Sequence, residues 1–291
     1  MRIAGTAIFL VLFTVLAAPA GHAEEACANT LGVSRTIEID TKGGPWFGAP
    51  QGDPDLLAPG EVVLTFDDGP APRSTLPILA ALAAECTKAT FFVLGEMAVA
   101  NPDVIREIDA QGHTLGTHTW SHPNLKRLSD ERMKAQIESA FAAVETGAGH
   151  PIAPFFRYPY LSYSQASAAY LQSRNIAQFA IDIDSFDWRT RNPQSVIRQV
   201  EASLNRHGRG IILLHDIHPS TAAAVPGVLA LLKAKGFKVV HLRPKTTVET
   251  IAAYPAPSSN ETRYAGAGRR RVVAHSTTAK PWLLSWKWPT W

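Results

Sequence analysis

From Glu61 onward the chain alternates short apolar runs with longer segments of helical periodicity, and this alternation restricts the fold more than any other feature. Val62–Phe66, Ala89–Leu94, His113–Thr117, Phe155–Phe156, Ile176–Ile183, Ile211–Leu214 and Lys238–Leu242 are strand-like and rich in β-branched and aromatic residues. Runs apolar on both faces belong in a parallel sheet covered by helices. The segments between them carry helix signals. A run from Thr75 to Cys86 is apolar, Asn101-Pro102 and Asn192-Pro193 are cap and first-turn pairs, and Gly112, Gly147 and Gly208 are stops. Behind Ser129, Met133, Ile137, Phe141 and Val144 share one helix face. Further helices are expected at Ser164–Ser173 and Ala222–Lys235. Strand and helix at such spacing predict an α/β fold, a parallel barrel or a doubly wound sheet, over residues 60–254.

The flanks are different in kind. Met1-Arg2, an apolar run from Ile3 to Ala18 and small residues up to Ala23 are the pattern of a cleaved secretory leader over residues 1–23. The expected location is the periplasm or the exterior, with an uncleaved anchor as the alternative. Residues 24–59, rich in Gly, Pro and Asp, read as an arm wrapping the domain, with one strand at Arg35–Ile39. Residues 255–291 break the rhythm and are expected to be a disordered tail; its tryptophans and arginines would otherwise form a patch touching a polysaccharide or membrane surface. The net charge of +3 is misplaced as a clue, because Arg263, Arg269, Arg270, Arg271, Lys280 and Lys287 against Glu261 give the tail +5. The body is therefore net negative, which argues against a nucleic-acid groove. No stretch after the leader suits stable membrane insertion. Cys27 and Cys86 could close one disulfide between arm and domain or remain two separate thiols.

Polar residues gather where the strands end, and in α/β proteins chemistry gathers at C-terminal strand ends. The first strand stops at Asp67-Asp68-Gly69-Pro70. Neighbours on a strand point to opposite sides, so one carboxylate could bind a metal while the other serves as a base; a plain Asp-Gly-Pro turn is the alternative. The third strand ends in His118-Thr119-Trp120-Ser121-His122-Pro123, where Pro123 favours a tight loop over a helix. Two imidazoles and one carboxylate make a three-ligand site with open positions, suited to a hydrolytic zinc. Non-haem iron oxygenases use the same ligand types. Later strands end in Arg157-Tyr158-Pro159-Tyr160, Asp184-Ser185-Phe186-Asp187-Trp188 and Leu213-Leu214-His215-Asp216.

Taken in order, Thr-Phe-Asp-Asp-Gly, His-Thr-x-x-His, Arg-x-Pro-Tyr, Asp-x-x-Asp-Trp and Leu-x-His resemble the five motifs of the polysaccharide deacetylases, the NodB-homology domain of carbohydrate esterase family 4. The resemblance spans about Glu61 to Leu242. It implies a distorted (β/α) barrel, with a divalent metal, zinc before cobalt or another ion, on Asp68, His118 and His122. It further implies Asp67 as general base oriented and kept ionised by Arg157, the Tyr160 backbone N–H as oxyanion donor, and His215 as general acid paired with Asp187. Trp188 and Leu213 would wall a slot for the acetyl methyl group. The implied substrate is an acetylated glycan, with N-acetyl groups of N-acetylglucosamine polymers such as peptidoglycan or chitin removed as acetate. An O-acetyl esterase acting on xylan and a non-catalytic carbohydrate-binding relative are the alternatives. Leu161 departs from the glycine that many such proteins carry after the tyrosine, and His218 is an additional imidazole, read as a turn residue or a substrate contact.

Overall fold

The computed structural model describes residues 27–52 and 55–257. The expected leader and most of the tail, including its tryptophans and arginines, lie outside the described residues. All strand pairings are parallel. The strands are β1 (Arg35–Ile39), β2 (Trp46–Phe47), β3 (Glu61–Asp67), β4 (Thr90–Val93), β5 (Thr114–Thr117), β6 (Phe155–Arg157), β7 (Ala177–Phe179), β8 (Ile183–Asp184), β9 (Gly210–His215) and β10 (Lys238–Pro244). Around the molecule they run β8-β9-β3-β4-β5-β6-β7-β2, while β10 pairs with the first residues of β3 and carries β1 on its other edge.

Strand alternation divides the core in two. Val62, Leu64, Phe66, Ile212 and Leu214 face the surrounding helices, and Val63, Phe92, Phe155, Phe179, Ile211, Val240 and Leu242 fill the space inside the curved sheet. The helices are α1 (Pro72–Ala84), α2 (Gly95–Ala100), α3 (Pro102–Ala110), α4 (Asp130–Ala148), α5 (Gln165–Ser173), α6 (Pro193–His207) and α7 (Pro219–Ala234). Their apolar stripes sink into the outer cluster, with Met133, Ile137, Phe141 and Val144 buried as the spacing predicts. Two glycines, Gly149 and Gly208, take the left-handed conformation that ends α4 and α6.

The alternation is thus an α/β sheet wound as a distorted barrel, and the distortion sits between β7 and β8. The run Ile176–Ile183, expected as one strand, is two. The Ala180 N–H makes the last bond of the β2–β7 ladder, to the Phe47 carbonyl (2.7 Å), and its own carbonyl turns to Arg157 Nη2 (3.2 Å). Asp182 leaves the ladder because its carboxylate accepts the N–H groups of Ala49 (3.0 Å) and Ile211 (2.7 Å). The arm therefore fills the gap: β2 adds to the edge of β7, and the Asp182 carboxylate ties the loop after β2 to β9. A Cβ on Gly48 (φ 83°) would lie 2.7 Å from the Ala180 carbonyl carbon, so this approach requires glycine.

Elsewhere the arm is held by the Arg35 guanidinium, which donates to both oxygens of Glu61 at 2.7 Å. A Cys27–Cys86 disulfide with Cα atoms 5.8 Å apart settles the open question of those two residues. Helix boundaries shift where proline starts the helix: α1 begins at Pro72 rather than Thr75, and α7 at Pro219 rather than Ala222. The short α2 and strand β2 have no counterpart among the expected elements.

Candidate active site

Val63, Thr65 and Asp67 project inward from β3, beside Ile211, Leu213 and His215 of β9, with Asp67 and His215 opposite one another in register. By strand alternation Asp68 would face the other way. Its φ of 75° breaks the alternation and swings its carboxylate back to the same side, so the two acids converge instead of diverging. Gly69 follows because a Cβ there would overlap the Asp216 carboxylate.

Asp68 meets two imidazoles. His118, just beyond β5, donates Nδ1–H to the Arg157 carbonyl (2.7 Å), which leaves Nε2 3.6 Å from Asp68 Oδ1. His122 Nε2 lies 3.5 Å from the same oxygen. Left-handed Thr119 and His122 shape the connecting turn, so the pair sits on a loop, as Pro123 suggested. The three ligand atoms lie within 4.8 Å of one another. Burial pushes the pKa of His118 down to about 3 and that of His122 to about 4, so both are neutral at physiological pH, the form that binds metal. Asp68 Oδ1 is buried and accepts no hydrogen bond. A buried carboxylate oxygen with no donor, facing two unprotonated ring nitrogens, suits a cation.

Asp67 has different company. Arg157, wholly buried at the end of β6, donates from Nη1 to Asp67 Oδ1 (2.7 Å) and to Thr65 Oγ1 (2.7 Å), and from Nη2 to the Ala180 carbonyl (3.2 Å). Its guanidinium lies 4.3 Å from the centre of the Phe92 ring. Burial raises the pKa of Asp67, and the Arg157 and His215 charges oppose that rise without cancelling it. Arg157 therefore orients Asp67, while the net shift is toward a more basic carboxylate than the resemblance implied.

His215 is gripped by Asp187. The carboxylate accepts the His215 Nδ1–H and backbone N–H, each at 2.7 Å, and the Thr221 hydroxyl at 2.7 Å. Burial alone would lower the pKa of His215, but the charge and hydrogen bond of Asp187, with Asp68 and Asp67 behind them, push it up to about 10. Asp187 itself is held below the usual carboxylate range by the same partners, although its burial works the other way.

The remaining expected residues line the same end of the sheet. Tyr160 (φ 59°) turns its ring to within 4.6 Å of His122. Leu213 lies two residues before His215 on the inward face, buried. Trp188 is 43% exposed, near Phe186, with the Arg189 guanidinium 5.4 Å from its ring. His218 caps α7, where its carbonyl accepts from Thr221 and Ala222, and its Nδ1 is 3.4 Å from Arg191 Nη1. Asp216 had no assigned part. Its carboxylate accepts from Thr75 (2.6 Å) beneath the Asp68-Gly69 turn, and burial drives its pKa to about 7. The only sequence sign of it was its place after His215.

Residues 57–179 match the family model described as polysaccharide deacetylase. A peptidoglycan-N-acetylglucosamine deacetylase of Listeria monocytogenes is 35% identical over 181 residues, covering 62% of this chain and 38% of the relative. This chain thus spans well under half of that protein. A chitooligosaccharide deacetylase of Azorhizobium caulinodans is 30% identical, over 62% of this chain and 92% of its own length. Among solved structures, a Bdellovibrio bacteriovorus peptidoglycan deacetylase superposes with a TM-score of 0.68 at 32% identity, covering 80% of this chain and 64% of that one. A relative matched nearly end to end and a fold shared with a solved deacetylase place this chain in the polysaccharide deacetylase family.

Proposed function

We propose that this deacetylase is metal-dependent and hydrolyses N-acetyl groups of N-acetylglucosamine-containing glycans of the peptidoglycan or chitin type, releasing acetate. The carrying observation is the division of labour at the tip of β3: Asp68 faces two neutral imidazoles, and Asp67 is bound by a buried guanidinium. Asp68, His118 and His122 would hold a divalent ion, zinc first by the family resemblance. When bound, such an ion polarises the acetyl carbonyl and acidifies water.

The chain's own groups supply the proton transfers. Asp67 keeps Oδ1 on Arg157 and has Oδ2 free to take a proton from the attacking water; its raised pKa suits a base. The Tyr160 N–H is the donor proposed for the developing oxyanion. His215, with Nδ1 on Asp187, presents Nε2–H to the leaving nitrogen. Trp188 and Leu213 bound the space for the acetyl methyl. A pKa near 10 keeps His215 charged through neutral pH, and this favours the amide over the ester reading, because an amine leaves only once protonated while many alkoxides need less help. An export leader over residues 1–23 would bring the enzyme to such polymers.

Mass spectrometry of a panel of N- and O-acetylated glycans after incubation tests the reading. Loss of acetyl from the N-acetyl members, abolished by chelation and restored by zinc, is expected. Turnover of O-acetylated xylan alone would transfer the assignment to an esterase, and binding without turnover by the metal-loaded protein would make it a non-catalytic relative.

A further inference from the structure

Beside the catalytic groups, past the C-terminal ends of β6 and β7, lies a second cavity of about 160 Å³. Its wall is made by two parts of the chain far apart in sequence. The domain supplies Tyr158, Leu161 and Tyr163, and the arm supplies Trp46, Pro50 and Gln51. The aromatic rings form one continuous surface: Trp46 stacks on Tyr158 with centroids 5.7 Å apart at 15°, and Tyr163 lies 4.8 Å from Trp46. Polar groups are few and sit at the edge, where the Gln51 amide donates to the Tyr163 hydroxyl (3.1 Å). Among the described residues, no charged one lines the cavity.

One turn of chain links the lining of this cavity to the proposed active site. Tyr160 places its ring against His122, and the next residue, Leu161, lines the cavity. Both residues are left-handed, at φ 59° and 50°. Leucine rarely adopts that conformation, and here consecutive side chains go one to His122 and the other to the cavity. On the other wall, Ala180 lines the cavity and its carbonyl accepts from Arg157, the residue that orients Asp67.

We infer that the arm completes a glycan subsite here, in which Trp46, Tyr163 and Gln51 hold the uncharged sugar ring next to the one being deacetylated. The inference rests on the glycan reading of the main site. A pyranose offers apolar C–H faces and a hydroxyl edge, and the cavity matches both: aromatic walls for the faces, an amide and a phenol for the edge. The uncharged lining among the described residues fits a neutral N-acetylhexosamine ring. The arm is fixed for this task, since β2 is in register with β7, the Gln178 amide donates to the Gly44 carbonyl (3.0 Å), and Gly48 alone permits the approach to Ala180. Trp46, Tyr163 and Gln51 thereby set chain-length preference and take no part in the chemistry.

The test uses the full-length, zinc-loaded protein and N-acetylglucosamine oligomers of increasing length. Wild type should gain in kcat/KM once the substrate is long enough to reach the subsite. Gln51→Ala and Tyr163→Phe, which leave the aromatic stack in place, should each raise KM for the longer oligomers about three- to tenfold with kcat held. Trp46→Ala should remove most of the length dependence, and activity on the shortest reactive substrate should stay within twofold in all three. A wild-type rate independent of length, or variants that follow the wild-type length profile, would overturn the subsite. Calorimetry in an Asp67→Asn background separates this from the activity reading: should wild type release no acetate at all, weaker oligomer binding on adding Trp46→Ala would still uphold the subsite. Unchanged binding would dismiss it.

Discussion

Replacing Asp187 by asparagine probes the proposal that His215 is the acid that releases an amine. The distance between about 10 and an ordinary imidazole at 6.5 corresponds to about 5 kcal/mol favouring the charged ring. Asp187 leads the upward contributions, ahead of Asp68 and Asp67, so asparagine should bring the His215 pKa down toward the ordinary imidazole range. The direction follows from the raised pKa: His215 is protonated below it and loses its proton, and its use as an acid, as pH climbs through it. Wild type would be ~90% protonated at pH 9 and the variant less so, and the two should converge toward pH 6. Bound metal would lower the His215 pKa in both proteins and leave the difference between them. The assay is kcat on an N-acetylglucosamine oligomer from pH 6 to 9, with an activated aryl acetate whose phenolate needs no proton as the control. The variant should fall further behind wild type at pH 9 than at pH 6 on the amide, and by a constant factor on the aryl ester. Parallel amide profiles, or an NMR titration in which His215 keeps its wild-type pKa without Asp187, would refute the assignment.

Metal analysis should separate the two acids of β3: Asp68→Ala loses the ion, whereas Asp67→Asn retains it and loses kcat by about 100- to 10,000-fold; equal metal loss from both would contradict the division. Reduction of Cys27–Cys86, which closes a loop of sequence separation 59, should lower stability in urea by roughly 4 kcal/mol if chain entropy dominates. A midpoint unchanged by reduction would show the arm to be held by its other contacts. Acid should destabilise the fold through His113 and His241, whose pKa values burial lowers to about 3 and about 4. His113 Nδ1 accepts from the Ala89 N–H (3.1 Å) and His241 Nε2 bonds the Thr114 hydroxyl (2.9 Å). Their stabilisation is full above the ordinary 6.5 and is lost as pH falls toward the folded values, so Tm should decline between pH 6.5 and 4 and decline less in His241→Gln.

The catalytic strands could be read from sequence because burial on both faces leaves little choice of residue, and because a parallel sheet delivers every strand's C-terminal end to one side. Val62–Phe66 ending at Asp67 is legible for that reason, and His118, Arg157 and His215 share its logic. Orientation was not legible. Alternation placed Asp67 and Asp68 on opposite faces, and only the left-handed backbone of Asp68 brings them together. Nor was the break at Ala180 to Asp182, since Ile176–Ile183 is apolar enough for one strand and the competing partners, Phe47 and Ala49, lie more than a hundred residues away.

These two failures share a cause, and it bears on how the site works. Local pattern sees which residues are buried, whereas the arm's role is decided by where its backbone hydrogen bonds end. Strand β2 is too short for any periodicity, yet its docking frees the Ala180 carbonyl to accept from Arg157, which in turn orients Asp67. The arm is therefore coupled to the proposed base through three hydrogen bonds as well as to the neighbouring cavity through Trp46. A variant that levers it away, Gly48→Ala, should accordingly raise KM for long oligomers and also reduce kcat, a double effect that Gln51→Ala, touching only the cavity, should not produce. Steady-state kinetics on one long and one short oligomer would resolve the two; loss confined to KM in Gly48→Ala would show that Arg157 holds Asp67 without help from the arm.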